Sequence, residues 1–506
     1  MMEPLFWFAV AAIFFIVALF KWYIFKPINK ILLPPSPPKL PIIGNLHQIG
    51  SHPHRSLDAL AQRYGPLMLL HFGKVRVLVV SSADAARQIL KTHDLIFANR
   101  PKLTPLEKLF YGSKDVATSP YGEYWRQIKS ICVLHLLSNR RIHSFRNVRA
   151  EEVGLMIKKI ESLVSSSLPV NLSEVLYTLT NDVLCTVALG RKYSAGGEGV
   201  SKFRKLLGEA MELMGGFYVG DYISWLGWVC NFNGFNAKLE KTAKGIDDFL
   251  DGVVEEHEKR MSNCGEVEDD HHQDFVDVLL GIQKENTLGF PIDRVSIKAI
   301  IFNMFGAGTD TTYTLLEWAM TELLRHPKIM KEVQNEIREI VGDKSNVTED
   351  DLDKFHYLKA VFKETLRIHP PIPILLPRQS TQDVKINGYD IPEGTQVYIN
   401  YATIAKDRAS WDQADEFRPE RFLVNPSINF LGNDLQFIPF GAGRRICPGI
   451  EFTMRVNELA LASLLNKFDW SQPCEEREED MDITESTGAT KHKKSALIAL
   501  ATPYFR

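Results

Sequence analysis

Residues 5–20 read LFWFAVAAIFFIVALF, an unbroken apolar run without a charge, and Trp22 to Phe25 extend it past Lys21. A helix over this stretch rises roughly 31 Å, about the thickness of one hydrocarbon core. The run is longer than the ~7–15-residue apolar region of a cleaved signal peptide, and no small-x-small cleavage site follows it. Lys21, Lys26 and Lys30 lie after the run, while only Glu3 precedes it. The pattern therefore predicts an uncleaved single-pass anchor over residues 1–26, with the body on the cytosolic side and Trp22 and Tyr23 at the interface. Residues 27–45 read as a basic, proline-rich hinge, because the five prolines between positions 34 and 41 exclude helix and central strand. Such a stretch is a stiff extended spacer.

Beyond the hinge the period changes. Two short β-type runs at residues 67–72 and 75–80 flank Gly73-Lys74, the spacing of a hairpin. Helical periodicity follows over residues 83–92, 149–165, 172–189 and 295–325. Strand-like stretches return at 384–389 and 395–400, punctuated by Gly388 and Gly394. There is no internal repeat. The pattern predicts one catalytic domain over residues 46–506, mainly α with a smaller β region.

Composition narrows the function. Of 506 residues, 45% are apolar and 24% charged, enough for a large core, and the net charge of −3 argues against a nucleic-acid partner. The six cysteines (132, 185, 230, 264, 447 and 474) are dispersed and form no CxxC pair, which points to a reducing surrounding rather than a disulfide framework. Adjacent His271 and His272 fall in the acidic stretch 262–272, which reads as a surface loop because no further ligands lie at metal-binding spacing.

One cysteine stands apart. Residues 440–449 read Phe-Gly-Ala-Gly-Arg-Arg-Ile-Cys-Pro-Gly. Gly441, Ala442 and Gly443 clear side chains from a surface that a flat ligand can approach. Cys447 precedes a helical stretch whose N–H groups and positive end lower a thiol pKa, with Pro448 suited to the first helical position. Arg445 is placed to meet a carboxylate. The segment resembles the haem-binding signature FxxGxRxCxG of the cytochromes P-450. The resemblance implies that Cys447 is the axial ligand of haem b iron, with Phe440 and Arg445 beside the macrocycle.

Other segments extend that resemblance. In the apolar helix 295–325, Ala307–Thr312 is similar to the family's (A/G)Gx(D/E)T(T/S) motif, which implies that Thr311 lies beside bound dioxygen with Asp310 as the preceding acid. A hydroxyl and a carboxylate form a proton relay of the kind that O–O cleavage requires. Ala307 shares a face with Thr311, and Asn303 and Met304 lie one turn further back, as candidate substrate contacts. Glu364-Thr-Leu-Arg367 and Phe417-Arg-Pro-Glu-Arg-Phe422 resemble the ExxR and PERF elements, implying a structural network of Glu364, Arg367 and Arg421. Trp125-Arg-Gln-Ile-Lys129 resembles the WxxxR element, with lysine in place of the final arginine. Trp125, Lys129 and Arg126 are thus candidate propionate contacts, as is Arg378. In detail the chain resembles the plant 71 clan, whose members oxidise terpenoids, alkaloids and coumarins.

The expected activity is a monooxygenase inserting one oxygen atom of O2 into an apolar specialised metabolite. No GxGxxG fingerprint and no cysteine cluster is present, so NADPH is not expected to bind this chain. Electrons then arrive through a separate NADPH–cytochrome P-450 reductase, with cytochrome b5 as an additional candidate donor, on a basic surface that includes Arg444. Alternatives are a non-oxygenating isomerase or dehydratase of the same fold, disfavoured by the Asp310–Thr311 pair, and a haem sensor. The expected location is the endoplasmic reticulum membrane, facing the cytosol. The pocket is expected to be capped by residues 100–119, 211–228 and 372–375, including Ile372, Ile374 and Leu375. Phe110, Tyr111, Phe217, Tyr218 and Trp225 make these segments aromatic.

Overall fold

The computed structural model describes residues 32–192, 198–263, 273–285, 290–473 and 481–505. The anchor expected over residues 1–26 and the histidines at 271 and 272 lie outside the described residues. Among the described residues no helix is long and apolar enough to cross a membrane.

The proline-rich stretch is laid against the body instead of standing off it. Pro34 and Pro37 are buried, and the Leu69 N–H donates to the Pro35 carbonyl at 2.9 Å. The Asn45 amide donates to the carbonyls of Pro37 and Pro38, each at 3.3 Å. Prolines lack an N–H, but their carbonyls remain open to donors from neighbouring elements.

The hairpin forms as its spacing predicts. β1 (Leu67–Phe72) and β2 (Val75–Val80) pair antiparallel with Leu67 opposite Val80. Two further strands, β3 (Arg378–Gln379) and β4 (Gln396–Ile399), complete a sheet of order β1-β2-β4-β3, in which β2 runs parallel to β4. The strand expected over residues 384–389 is instead a hairpin of Val384–Ile386 with Tyr389–Ile391. Asn387 and Gly388 turn it with φ of +50° and +84°, a conformation this dipeptide tolerates well. A three-stranded sheet near the C-terminus joins Val170–Asn171, Phe468–Ser471 and Ile498–Pro503. Its partners are far apart in sequence and the first is only two residues long, so periodicity gave no sign of it.

Five helices frame the site: α1 (Leu172–Leu189), α2 (Phe235–Asn263), α3 (Arg294–Arg325), α4 (His356–Ile368) and α5 (Ile450–Lys467). Asp293 caps α3 by accepting the Ser296 N–H at 2.7 Å. Downstream, α3 runs through the core and buries Phe302, Phe305 and Trp318 completely. Each such side chain contributes about 1.5–3 kcal/mol. Gly308 lets α3 lie close to α1, since a Cβ there would sit 3.1 Å from Leu184 Cδ2. Close helix crossing is therefore one physical role of this glycine. α3 also crosses α5 where the hydroxyls of Thr312 and Thr453 meet at 3.3 Å.

Candidate functional site

The middle of α3 breaks the burial pattern. The helix is buried from Ser296 to Gly306 and from Thr312 to Leu324, yet Ala307 is exposed and Gly308, Asp310 and Thr311 are half-buried. One helical turn thus opens onto a space inside an otherwise packed core. The Thr311 hydroxyl donates to the Ala307 carbonyl one turn back. Asp310 accepts a hydrogen bond from the Thr490 hydroxyl, which anchors its carboxylate to the C-terminal segment.

Because α3 and α5 cross at Thr312 and Thr453, the loop leading into α5 comes close to this window. The Cys447 N–H donates to the Phe440 carbonyl at 3.0 Å and closes the loop. Gly441 and Gly443 have φ of +73° and +71°, in the left-handed region that favours glycine. Around Gly443 the packing is tight, for a Cβ would lie 2.3 Å from the Leu90 carbonyl oxygen. Around Gly441 it is open, with no atom within 4 Å of a Cβ. The loop is therefore braced on one side and flat and open on the other.

Two local expectations change. α5 begins at Ile450 with Gly449 as its cap, so Pro448 lies in the preceding turn and not at the first helical position. Burial pushes the Cys447 thiol up, whereas the Gly449 N–H, 3.4 Å from the sulfur, and the Lys129 charge pull it down. The cap was expected to dominate, but burial outweighs it. A thiolate here depends on a cationic partner.

A partly buried cationic cluster flanks the loop. The Arg378 guanidinium donates to Asp94 at 3.1 Å and to the Ala442 carbonyl at 2.7 Å. Arg445 donates to the carbonyls of Ala98, Val116 and Ser119 at 2.8, 3.3 and 2.6 Å. It also lies 4.1 Å over the Trp125 ring. The Trp125 indole N–H is given to the Val116 carbonyl at 2.9 Å, so the residue holds Arg445 in place rather than offering a free donor. Lys129 donates to the Arg444 carbonyl and sits 5.3 Å from the Trp125 ring. Arg126 points away: it is exposed on the helix surface and does not join the cluster.

A fourth cation was not anticipated. Arg100, buried, donates to the carbonyls of Ala117, Leu376 and Pro377 at 2.9, 2.6 and 2.7 Å. Its only trace in the sequence is a position just before Pro101, which carries no chemical meaning by itself. Burial and then repulsion from Arg445 and Arg378 hold Arg100 well below its usual range. Burial and Arg378 bring Arg445 down to about 9. The carboxylates that face these four cations are Asp94, which also pairs with Arg444 at 3.5 Å, and Asp115.

The excess of positive charge suits the propionates of haem. With the open face at Gly441 and a half-buried cysteine in the same loop, these residues fit that cofactor. Arg445, Arg378, Lys129 and Trp125 come together here, as does Phe440, whose half-buried ring packs on Phe430 at 5.5 Å.

The comparisons agree with this geometry. The Cytochrome P450 family model matches residues 34–500. The chain belongs to the cytochrome P450 family. Cytochrome P450 736A117 of Prunus mume is 60% identical over 97% of this chain and 95% of its own length. Cytochrome P450 71A26 of Arabidopsis thaliana is 54% identical over 92% of this chain and 93% of its own. Norfluorocurarine oxidase of a Strychnos species is 51% identical over 96% and 95%. A zebra fish cytochrome P450 solved with abiraterone superposes with a TM-score of 0.75 at 26% identity, covering 90% of this chain and all of that one. The chain is thus a haem-iron oxidoreductase of the plant cytochrome P450 monooxygenases, with the mainly helical P450 fold.

Behind the site of this P450, Glu364 and Arg367 are fully buried and form a two-pronged pair at 2.8 and 2.7 Å. Arg421 Nε reaches the same carboxylate at 3.1 Å. Arg367 also donates to the carbonyls of Ala405, Ala414 and Glu416, so all of its five N–H groups are used. The pair staples α4 to the segment before the haem loop.

The pocket expectations need revision. Asn303 is buried, and its amide donates to Asp115 at 2.9 Å instead of facing a substrate. Met304 is buried as well. Ile374 packs on the small cluster around β1, β2 and Tyr222, whereas Leu375 faces the main core, as alternation in an extended segment requires. Ile372 is half-buried. Phe110 points inward against Phe302 at 5.0 Å, but Phe217 and Trp225 are 50% and 64% exposed.

A separate cluster of His257, Asp274 and Asp277 has metal-like spacing. Arg260 donates to both oxygens of Asp277 at 2.6 Å and to Asp274 at 3.3 Å, so the acids already have a cation.

Proposed function

We propose that this P450 inserts one oxygen atom of O2 into an apolar plant specialised metabolite, using haem b held by Cys447 and electrons from NADPH through a separate reductase. The observation that carries the reading is the single open turn of α3, bearing Asp310 and Thr311, beside a cationic cradle that ends in Cys447. When bound, haem supplies the iron at which dioxygen is reduced, with the thiolate favouring O–O cleavage. Arg445, Arg378, Arg100 and Lys129 take the two propionates. Thr311 keeps its hydroxyl proton on the Ala307 carbonyl at the open face, and Asp310 holds its carboxylate at the end of the Thr490 hydrogen bond. Together they form the route by which protons reach the site.

Half-exposed Arg444, beside Lys129, contributes to the reductase-docking surface, with cytochrome b5 as a further partner there. Leu40, Ile42, Trp225, Trp228 and Phe232 are exposed. Backbone bonds from Gly73 to Ile43 and from Lys74 to Tyr222 bring their two segments to one side of the body. This apolar face, together with the N-terminal run, supports attachment to the endoplasmic reticulum membrane, where apolar substrates collect. The Strychnos relative is named an oxidase of norfluorocurarine, which supports oxidation of a small organic molecule here.

The test is a carbon monoxide difference spectrum on the wild type and Cys447→Ala. Retention of the thiolate-type absorption in the variant would refute Cys447 as ligand. With reductase, NADPH and a substrate found by a spin-shift screen, Thr311→Ala should consume NADPH with at least several-fold less product. Unchanged coupling would remove Thr311 from the relay. No NADPH use with any substrate, despite a thiolate-type carbon monoxide peak in the wild type, would favour an isomerase, a dehydratase or a haem sensor.

A further inference from the structure

The cationic cradle is not self-supporting, because four cations gathered together, two of them buried and two half-buried, repel one another. Most of their donors go to main-chain carbonyls, and three of these carbonyls lie in one short stretch. Val116 accepts from Arg445 and from Trp125, Ala117 from Arg100, and Ser119 from Arg445. The stretch lies between helices and has no regular structure that would aim its carbonyls.

At its head is Asp115, which is completely buried. One carboxylate oxygen accepts the N–H groups of Ala117 and Thr118 at 2.8 and 3.1 Å and the Asn303 amide at 2.9 Å. The other accepts the Thr118 hydroxyl. These bonds go to the turn and to α3, not to the guanidiniums. Asp side chains that accept from N–H groups two and three residues on fold the backbone into a tight turn. With the turn folded, the carbonyls of residues 116, 117 and 119 face Arg100, Arg445 and Trp125. Through Asn303 the same carboxylate fastens the turn to α3, one helical turn before Ala307.

We infer that Asp115 is a positioning residue for the cofactor: its carboxylate folds the turn whose carbonyls aim Arg100 and Arg445 at the haem propionates, and ties that turn to the oxygen-side helix. The inference rests on the haem placement proposed above. Its charge also offsets the crowding of Arg100 and Arg445, since both feel Asp115 as a stabilising neighbour. Asp115 itself touches no reacting atom. Its effect is expected in how firmly and in what orientation haem is held.

The experiment uses the full-length holoprotein. Haem transfer to excess apomyoglobin is timed for wild type, Asp115→Asn, Asp115→Ala and Thr118→Val, and the propionate bending bands are recorded by resonance Raman spectroscopy. Asp115→Ala is expected to speed haem loss at least tenfold and to shift the propionate bands. Asp115→Asn keeps an oxygen for the turn N–H groups and should stay within about threefold of wild type, with bands nearly in place. Thr118→Val should fall between them. If Asp115→Ala does not fold, Thr118→Val decides the matter through its propionate bands. Unchanged bands and haem loss in the folded variants would overturn the inference. Loss as fast in Asp115→Asn as in Asp115→Ala would overturn the turn-folding role. Wild-type protein that takes up no haem would instead refute the haem placement itself.

Discussion

Arg367 offers a strong test of how this P450 holds its core together. The substitution is Arg367→Lys, which keeps the charge but removes the planar fork. In the structure all five N–H groups of Arg367 are engaged, two by Glu364 and three by carbonyls, with no exposure to water. A lysine ammonium has three donors, so at least two bonds are lost inside the core. Hydrogen bonds to charged groups contribute about 1.5–3 kcal/mol each, which puts the loss near 4 kcal/mol. At about 1.4 kcal/mol per tenfold, unfolding should accelerate by nearly a thousandfold if the network is absent from the unfolding transition state. Arg421→Lys is the control. Its Nε bond to Glu364 is 3.1 Å and its remaining bonds lie at the surface, so about 1 kcal/mol and roughly a fivefold change are expected. The assay is the half-life of the near-ultraviolet circular dichroism signal at one fixed guanidinium concentration, a measurement that does not depend on refolding. A half-life for Arg367→Lys within threefold of wild type would refute the reasoning, as would a larger effect for Arg421→Lys.

The two loop glycines should behave differently. Gly443→Ala places a methyl against the Leu90 carbonyl in a left-handed backbone and should lower the yield of folded protein, whereas Gly441→Ala meets no protein atom, costs only about 1–2 kcal/mol of conformational penalty, and puts its methyl on the open face proposed for haem, so it should fold but take up less haem. Wild-type haem content in folded Gly441→Ala would contradict this. His257 should make stability pH-dependent. Its Nδ1 faces the Val253 carbonyl at 2.8 Å and its Nε2 faces Asp274 at 2.9 Å, so only the doubly protonated ring satisfies both. Burial by itself lowers the His257 pKa, but the bond to Asp274, its charge and the Val253 carbonyl together raise it above the ordinary value. The contribution is then fully present below the unfolded pKa of about 6.5 and is lost as pH rises through the higher folded value. Unfolding half-lives measured on both sides of that window should converge for wild type and His257→Gln at high pH, and a constant gap between them would refute the linkage.

Much of the site was readable from residue order alone. The loop around Cys447, the Asp310–Thr311 pair and the Glu364–Arg367 pair are short motifs whose members sit within one or two turns. Their spacing already restricts their geometry. The hairpin at Gly73 and the long helix ending at Arg325 were legible for a related reason, since hydrophobic period and turn residues are local signals. Arg100 was not, because a single arginine before a proline carries no pattern. Asn303 was misassigned because helix periodicity places a residue on a face but does not say what the facing loop will offer it. Here that loop presents Asp115, a buried carboxylate that takes the amide away from the pocket.

By itself, the sequence determined the family and the motifs that carry it: a cysteine in a glycine-rich loop, an acid–alcohol pair on a helix and an acid–base pair three residues apart. Only the tertiary structure decided how the cofactor cradle is built. Four cations from separate stretches of chain, a turn folded by Asp115 and a crossing of α3 with α5 depend on contacts between residues up to several hundred positions apart. Such contacts are set by packing and by the need to give every buried polar group a partner, and neither leaves a mark in local spacing.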